Sequence, residues 1–272
     1  MRSSYPTPYP DINAVLDELL SSVRVVLGNS FIGLYLHGSL AYGDFNPQTS
    51  DIDFLVVTGT RLPIETFFAL KDMHARLFAS GMAWSQSLEG AYIPKEDLRR
   101  HNPALAPIPW LGVDGHFALE TLGSDWILQR WILREKGLSV FGPPLKPIID
   151  PISAQDLKEA VHASLRDWWS PPFPSPERFQ SGEYQAYAVL TMCRSLYVLD
   201  HGAIASKPEA SRWAMETLDE RWQTLIAAAT SWRPGIEFDR LNETMGFILF
   251  TLCSSEDNYI QHYPSKLKSS TL

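Results

Sequence analysis

The chain has 272 residues, a net charge of −8 and a composition that is 45% hydrophobic and 20% charged. These values are typical of a globular protein with one large domain or two modest ones, and they exclude a disordered or fibrous chain. The acidic balance argues against a nucleic-acid binder, and the most apolar stretch, residues 245–253, is too short to span a membrane.

The N-terminus lacks the apolar core of a signal peptide, and the two cysteines, Cys193 and Cys253, lie far apart without metal-ligand spacing. They do not form a disulfide framework, which favours a reducing compartment. We therefore expect a cytoplasmic protein without nucleic-acid or membrane partners. The sequence does not settle the oligomeric state, and a monomer is our expectation.

The first part of the chain alternates between helical and strand patterns. Apolar residues at helical spacing follow Asp11, a candidate N-cap, and runs of branched apolar residues predict buried strands. The predicted elements are a helix over 12–27, strands over 31–37 and 51–57, a helix over 63–80 and a strand over 85–93. Residues 94–115 are rich in proline and predict a surface loop, and Ser124 is a candidate cap for a helix to Lys136.

The second part of the chain is helical. Residues 141–151 contain prolines that cannot continue a helix or a central strand, so they predict a linker. We expect helices to begin at Ser153 and Ser206 and Gly202 to be a C-cap. The predicted helices start at Ser153 and Ser206 and cover 183–200, 218–231 and 238–261. The pattern predicts two domains, 1–151 and 152–272.

One segment has the features of a phosphate and cation site. Gly38 ends a predicted strand, and Ser39 follows in a turn whose backbone N–H groups and hydroxyl can bind anionic oxygen. Asp51 and Asp53 begin the next strand, two residues apart, so their side chains share one face. Two such close carboxylates repel each other unless a cation lies between them, and oxygen-rich sites suit magnesium. This combination indicates phosphoryl or nucleotidyl transfer.

Glu89 is the third candidate carboxylate. It lies inside a predicted strand between apolar residues, where an acid is costly unless it has a use. If this strand pairs with 51–57, Glu89 faces Asp51 and Asp53. The alternative is an exposed strand residue or one paired with a lysine.

The segment GSLAYGDFNPQTSDIDFLVV resembles the signature of the nucleotidyltransferase superfamily, in which Gly-Ser precedes Asp-x-Asp by about this interval. The helical half, in YAVLTMCRSLYVLDHGAIASKPEASRWAMETL, resembles the streptomycin/spectinomycin adenylyltransferases that inactivate aminoglycosides. The resemblance implies an α+β fold: a mixed sheet with helices, followed by an all-α helical-bundle domain that closes over nucleotide and substrate.

The same resemblance implies the roles of individual residues. Asp51 and Asp53 would bind two Mg²⁺ ions, and Glu89 would be the base that deprotonates the attacking hydroxyl. Gly38, Ser39, Arg194 and Lys207 would bind the phosphates of ATP, the co-substrate. A surface or inter-domain salt bridge explains Arg194 nearly as well, whereas a lysine near a helix start is unusual for a structural residue.

The acceptor residues follow the family less closely. Where the streptomycin-modifying enzymes have an acidic residue and an asparagine, this chain has Tyr184 and Tyr187, with Glu183 adjacent as a substitute. Trp110 or Phe117 would take the place of the family's substrate-stacking tryptophan.

Three functions compete. The first is transfer of AMP from ATP to a hydroxyl of a small molecule, an aminoglycoside or aminocyclitol such as streptomycin or spectinomycin. The second is transfer of AMP to a protein, as in antitoxins, which are usually short chains without a long helical domain. The third is a non-catalytic nucleotide-binding homologue, against which the complete set of three carboxylates argues. We interpret His37, beside Gly38, as a packing residue at the end of a strand rather than as a ligand.

Overall fold

The computed structural model describes residues 5–102, 104–173 and 175–262, with side chains up to Glu256 in the last helix. The chain divides into two compact units, Met1–Pro151 and Ile152–Leu272. The first unit contains a six-stranded sheet with helices, and the second is built from helices. This architecture confirms the predicted α+β class.

The sheet of the first unit is mixed. The strand order is β5-β4-β3-β2-β1-β6, in which β2 and β3 run parallel and every other neighbouring pair is antiparallel. The strands are β1 (Phe31–Leu36), β2 (Ile52–Thr58), β3 (Leu88–Pro94), β4 (Ile108–Leu111), β5 (Phe117–Glu120) and β6 (Leu138–Phe141).

The helices of the first unit pack their apolar faces on the core. In the first of them, Ile12, Val15, Leu16 and Leu19 are all fully buried. The helices are α1 (Pro10–Leu27), α2 (Gly38–Tyr42), α3 (Ile64–Phe78), α4 (Lys95–Arg99) and α5 (Trp126–Glu135).

Two predicted N-caps of this unit are wrong. Tyr9 is the N-cap of α1, and Pro10 opens the helix, where a proline is well tolerated. Asp11 therefore lies in the first turn, where its negative charge interacts favourably with the helix dipole and stabilises the helix. The N-cap of α5 is Asp125, one residue after the predicted Ser124.

The prediction of a loop over residues 94–115 is also wrong in part. This stretch contains α4 and β4. Pro109 is tolerated in β4 because the pairing with β3 runs through Trp110 and Leu111 only, so the missing N–H of Pro109 does not interrupt that ladder. The predicted linker likewise starts too early, since Phe141 belongs to β6, which pairs with β1.

The second unit has helix boundaries at the three predicted residues. Ser153 forms a capping box with Asp156, Gly202 adopts the left-handed conformation at a helix end, and Ser206 accepts a bond from the N–H of Glu209. The helices are α6 (Ala154–Trp168), α7 (Gly182–His201), α8 (Lys207–Thr217), α9 (Gln223–Ser231) and α10 (Leu241–His262). None of the helices within the described ranges is long and apolar enough to cross a membrane.

Both cysteines are free thiols, Cys193 buried and Cys253 exposed. Burial raises the pKa of the Cys193 thiol to about 12, so it stays protonated and packs as a small apolar side chain.

Candidate active site

Strand pairing places three polar side chains in one row across the sheet. Asp53 of β2 is in parallel register with Glu89 of β3. On the other side of β2, the N–H of His37, the residue that follows β1, donates to the carbonyl of Asp53 over 3.1 Å. Paired residues on neighbouring strands project to the same face of a sheet. His37, Asp53 and Glu89 therefore share one face.

Asp51 joins this row from the residue that precedes β2. A turn between Asn46 and Ser50 leads into it, in which the N–H of Ser50 donates to the carbonyl of Asn46 over 2.8 Å. The N–H of Ile52 then donates to the carbonyl of Ser87 over 2.8 Å, which fixes the start of the strand. Because Asp51 and Asp53 are two residues apart on extended backbone, their side chains lie on the same side.

The three carboxylates meet. Asp51, Asp53 and Glu89 are each half-buried, and each offers one oxygen such that these oxygens all lie within 4.8 Å of one another. Like charges at this separation are unfavourable without a cation, and carboxylate oxygens are the ligands that magnesium prefers. The donor set therefore fits a divalent cation. Of the residues predicted to be catalytic, all three come together here.

Gly38 and Ser39 lie beside the carboxylates. Gly38 has φ +58° and opens the short helix α2, and a methyl group at its Cα would overlap the Oδ2 of Asp53. Only glycine allows this close approach of backbone to carboxylate without strain. The hydroxyl oxygen of Ser39 is buried and has no hydrogen-bond partner among the described residues. Such an atom requires a ligand or water.

His37 is a neighbour of the site, and its sequence context predicts no functional role for it. As predicted for a packing residue it is buried, with 6% of its surface exposed. Burial lowers the pKa of His37 to about 4, while the charge of Asp51 and a backbone hydrogen bond to Phe54 oppose that shift. Its Nδ1 is buried and finds no hydrogen-bond partner in the described part of the chain. The position after a strand, beside Gly38, was the only sequence signal.

Trp110 and Phe117 are separated by the sheet. Trp110 pairs with Ala91 on β3. Ala91 lies two residues from Glu89 and projects to the same face, so Trp110 also projects to the carboxylate face, where it is half-buried. Phe117 is 3% exposed and packs against Phe67 on the opposite side. Phe117 is therefore a core residue, and of these two candidates only Trp110 shares the face of the site.

The second unit holds the remaining predicted residues around α7. Lys207, the first residue of α8, lies with its Nζ 5.6 Å from the ring centroid of Tyr187, which is 44% exposed. Arg194, two turns further along α7, has a buried Nε without a hydrogen-bond partner in the described ranges. Glu183 is exposed in the first turn of α7.

An aromatic cluster surrounds Tyr187. The ring of Tyr184 lies 5.7 Å from that of Tyr187 and stacks on Trp169 at 6.1 Å, and Arg178 lies over it at 5.8 Å. Burial raises the pKa of Tyr184. The two tyrosines thus form an aromatic surface flanked by two cations.

Known proteins resemble this chain over both of its units. An aminoglycoside (3'') (9) adenylyltransferase from Escherichia coli is 30% identical over 241 residues, which cover 85% of this chain and 88% of the relative. The chain belongs to the aminoglycoside adenylyltransferase family.

Other comparisons extend this membership to each unit. A nucleotidyltransferase domain model matches residues 22–82, and the model of the aminoglycoside adenylyltransferase C-terminal domain matches residues 147–248. A spectinomycin 9-adenylyltransferase from Campylobacter jejuni is 24% identical over 222 residues, covering 79% of this chain and 82% of the relative.

A solved structure has the same fold. It is a spectinomycin adenyltransferase, AAD(9), from Enterococcus faecialis with ATP and spectinomycin, and it superimposes with a TM-score of 0.69 at 20% identity, covering 89% of this chain and 98% of that one. The family therefore matches the nucleotidyltransferase signature and the helical unit together, while the roles of the individual residues stay predictions.

Proposed function

We propose that this adenylyltransferase moves AMP from ATP to a hydroxyl group of an aminoglycoside or aminocyclitol such as streptomycin or spectinomycin. The observation that carries the proposal is the convergence of Asp51, Asp53 and Glu89 within 4.8 Å, beside the turn at Gly38 and Ser39. A cluster of carboxylates next to a phosphate-binding turn suits nucleotidyl transfer. The names of the relatives in the same family support the class of acceptor.

Asp51 and Asp53 are the residues that would hold magnesium, and the family resemblance supports two ions. When bound, magnesium neutralises the negative charge that develops around the α-phosphate during transfer. The carboxylate oxygens fit this cation because it prefers oxygen ligands and stays partly hydrated.

Glu89 accepts the proton of the acceptor hydroxyl as the hydroxyl oxygen bonds to the α-phosphorus of ATP. The bond between that phosphorus and the oxygen bridging to the β-phosphate breaks, and pyrophosphate leaves. Arg194, Lys207, Ser39 and the backbone at Gly38 bind the triphosphate and so hold the α-phosphate in line for attack.

The acceptor contacts are Trp110, Glu183 and Tyr187 in this proposal. Glu183 supplies a negative charge for an amino group of the acceptor, and the two rings supply flat surfaces for its sugar rings. The protein acts as a monomer in the cytoplasm, where ATP is available.

The test measures pyrophosphate release from ATP with magnesium against a panel of aminoglycosides and aminocyclitols. We expect release with streptomycin or spectinomycin, and a loss of about 10³-fold or more in Asp53→Asn, because several kcal/mol of charge stabilisation depends on this ligand. Asp72→Asn, at an exposed position on α3, is the matched control and should retain the wild-type rate.

Three outcomes contradict parts of this proposal. Near-normal release by folded Asp53→Asn would show that the site is elsewhere. A labelled protein rather than a labelled small molecule, after incubation with labelled ATP and cell lysate, would identify a protein acceptor. Tight ATP binding without pyrophosphate release with any acceptor would identify a non-catalytic homologue.

A further inference from the structure

His37 occupies the fourth position of the site by strand register. β1 and β2 are antiparallel with Leu36 opposite Phe54, so the next pair is His37 and Asp53, joined by the N–H of His37 and the carbonyl of Asp53. In such a pair the two Cα atoms lie about 5.5 Å apart and both side chains project to one face. The imidazole is thus an immediate neighbour of the carboxylates on the side away from Glu89.

The chemistry of His37 does not match a packing role alone. The side chain is 6% exposed, and its Nδ1 is buried without a hydrogen-bond partner among the residues that the structure describes. A buried polar atom without a partner destabilises the folded state, and a phenylalanine or leucine at this position would avoid that cost. Buried polar atoms without partners are rare and require a specific explanation, such as a ligand or water that satisfies them.

The described cluster of oxygens within 4.8 Å consists of Asp51, Asp53 and Glu89, and the ring of His37 lies outside it. The ring is still close enough for the charge of Asp51 to act on it. The hydroxyl oxygen of Ser39, on the other side of Gly38, is likewise buried without a partner in the described ranges. Two orphaned polar atoms therefore flank the glycine that contacts Asp53.

We propose that His37 is a positioning residue, whose Nδ1 accepts a hydrogen bond from the hydration shell of the divalent cation held by Asp51 and Asp53, beside Glu89. Magnesium keeps several waters when it binds to proteins, and groups outside the ligand set fix the orientation of those waters and of the ligands. This inference rests on the proposed function, because it requires that the carboxylates bind a cation.

Isothermal titration calorimetry of the protein with Mn²⁺, with and without ATP, tests the role of His37. The measured quantity is the affinity for Mn²⁺. His37→Phe keeps an aromatic ring of similar size and removes Nδ1. His37→Asn keeps an acceptor at the position of Nδ1, because its side-chain oxygen can occupy that place. We expect His37→Phe to weaken Mn²⁺ binding about 10- to 100-fold, the usual effect of losing such a partner, and His37→Asn to stay within about threefold of wild type.

Wild-type Mn²⁺ affinity in His37→Phe would overturn the inference and leave the proposed function intact. Equal weakening in both variants would also overturn it, since the loss would then follow from packing. Absence of Mn²⁺ binding by the wild-type protein would overturn the proposed function together with this inference.

A measurement on the wild-type protein covers the case in which the variants do not fold. The ¹⁵N chemical shift of the Nδ1 of His37 reports whether this atom accepts a hydrogen bond. We expect that shift to change when diamagnetic Mg²⁺ and ATP are added. An unchanged shift at saturating Mg²⁺ would exclude the proposed contact.

Discussion

The two units of the chain carry opposite charges at their candidate cation-binding and phosphate-binding residues. In the first unit, strand pairing brings Asp51, Asp53 and Glu89 together. In the second, Lys207 lies over an exposed tyrosine ring, and Arg194 has a buried guanidinium nitrogen without a partner in the described part of the chain. The carboxylates suit a divalent cation, whereas Arg194 and Lys207 suit an anionic group such as a phosphate.

The three carboxylates of the first unit and the two cations of the second also differ in what holds their side chains in position. The carboxylates depend on backbone hydrogen bonds between strands, which fix the face and register of each side chain. Lys207 and Arg194 reach their positions through long, flexible side chains, and Lys207 packs against the ring of Tyr187. Substitutions at the carboxylates of the first unit should therefore lower kcat strongly. Substitutions at Arg194 or Lys207 in the second unit should weaken ATP binding moderately.

The largest expected effect tests the chemistry of the first unit. Glu89→Gln keeps the shape of the side chain and removes its ability to accept the proton. We expect kcat to fall about 10²- to 10⁴-fold, the usual contribution of a general base, with a small change in the KM for ATP. Steady-state pyrophosphate release measures both constants. The matched control is Glu96→Gln at an exposed position of α4, and equal activity of the two variants would contradict the role of Glu89.

The next effect separates backbone strain from site geometry. Gly38→Ala places a methyl group on the Oδ2 of Asp53, whereas Gly43→Ala, at the other end of α2, meets nothing within 4 Å. Both positions have positive φ, +58° and +78°, so each variant should lose about 1–2 kcal/mol of stability. Gly38→Ala should also lose about 10²-fold in kcat/KM through displacement of Asp53.

Thermal unfolding and kinetics on both glycine variants distinguish these contributions. Gly43→Ala should keep kcat/KM within a few-fold of wild type. If both variants lost activity equally, the conformation of the short helix, rather than the contact with Asp53, would limit catalysis.

A moderate effect is expected in the second unit. Arg194→Gln removes a charged donor, and hydrogen bonds to charged groups contribute about 1.5–3 kcal/mol. The KM for ATP should therefore rise roughly 10- to 100-fold, while Mn²⁺ binding without nucleotide stays unchanged. Arg166→Gln, at an exposed position of α6, is the control. Loss of Mn²⁺ binding in Arg194→Gln would contradict the separation of the two sets.

The last effect leaves activity at neutral pH unchanged and concerns the stability of the first unit in acid. The ring of His74 is buried beneath the sheet, with its Nε2 2.7 Å from the hydroxyl oxygen of Tyr92, and burial lowers the pKa of His74 to about 3. The unfolded chain binds the proton below about pH 6.5 and the folded chain does not. Stability should therefore fall with decreasing pH from about 6.5 towards 3, by at most about 1.4 kcal/mol per pH unit from this residue.

His74→Gln removes this titration and keeps a polar group near Tyr92. At pH 7.5 the variant should be less stable than wild type, because it loses ring contacts with Phe54 and Phe117. Urea unfolding at several pH values should show the difference shrinking between pH 6.5 and 4.5. A constant difference would mean that another group governs acid unfolding.

The sequence predicted most of the elements that position the site. The alternation in residues 51–57 placed Asp51 and Asp53 on one face, and the run around Glu89 marked a third strand. The short strands β4 and β6 were not predicted, because four residues are too few to show a periodic pattern. Prolines in or beside these strands also favour the prediction of a loop. Local caps at Ser153, Gly202 and Ser206 were predictable because they depend on neighbouring backbone alone.

Features that depend on pairing between distant segments were not predictable. The position of His37 opposite Asp53 depends on the register in which β1 pairs with β2. The inward orientation of Phe117 depends on β5 pairing with β4. The cation–π contact between Lys207 of α8 and Tyr187 of α7 depends on how the two helices pack, which the local sequence pattern does not predict.

The parallel register of β2 and β3 has a genetic consequence. Asp53 and Glu89 belong to segments separated by α3, yet they remain in one row because backbone bonds align the strands. Insertions or deletions in the connections around α3 can therefore be tolerated, since register does not depend on their length. A single-codon insertion within β3, before Glu89, would turn that carboxylate to the opposite face. We expect natural variation in this family to change loop lengths freely and strand lengths rarely.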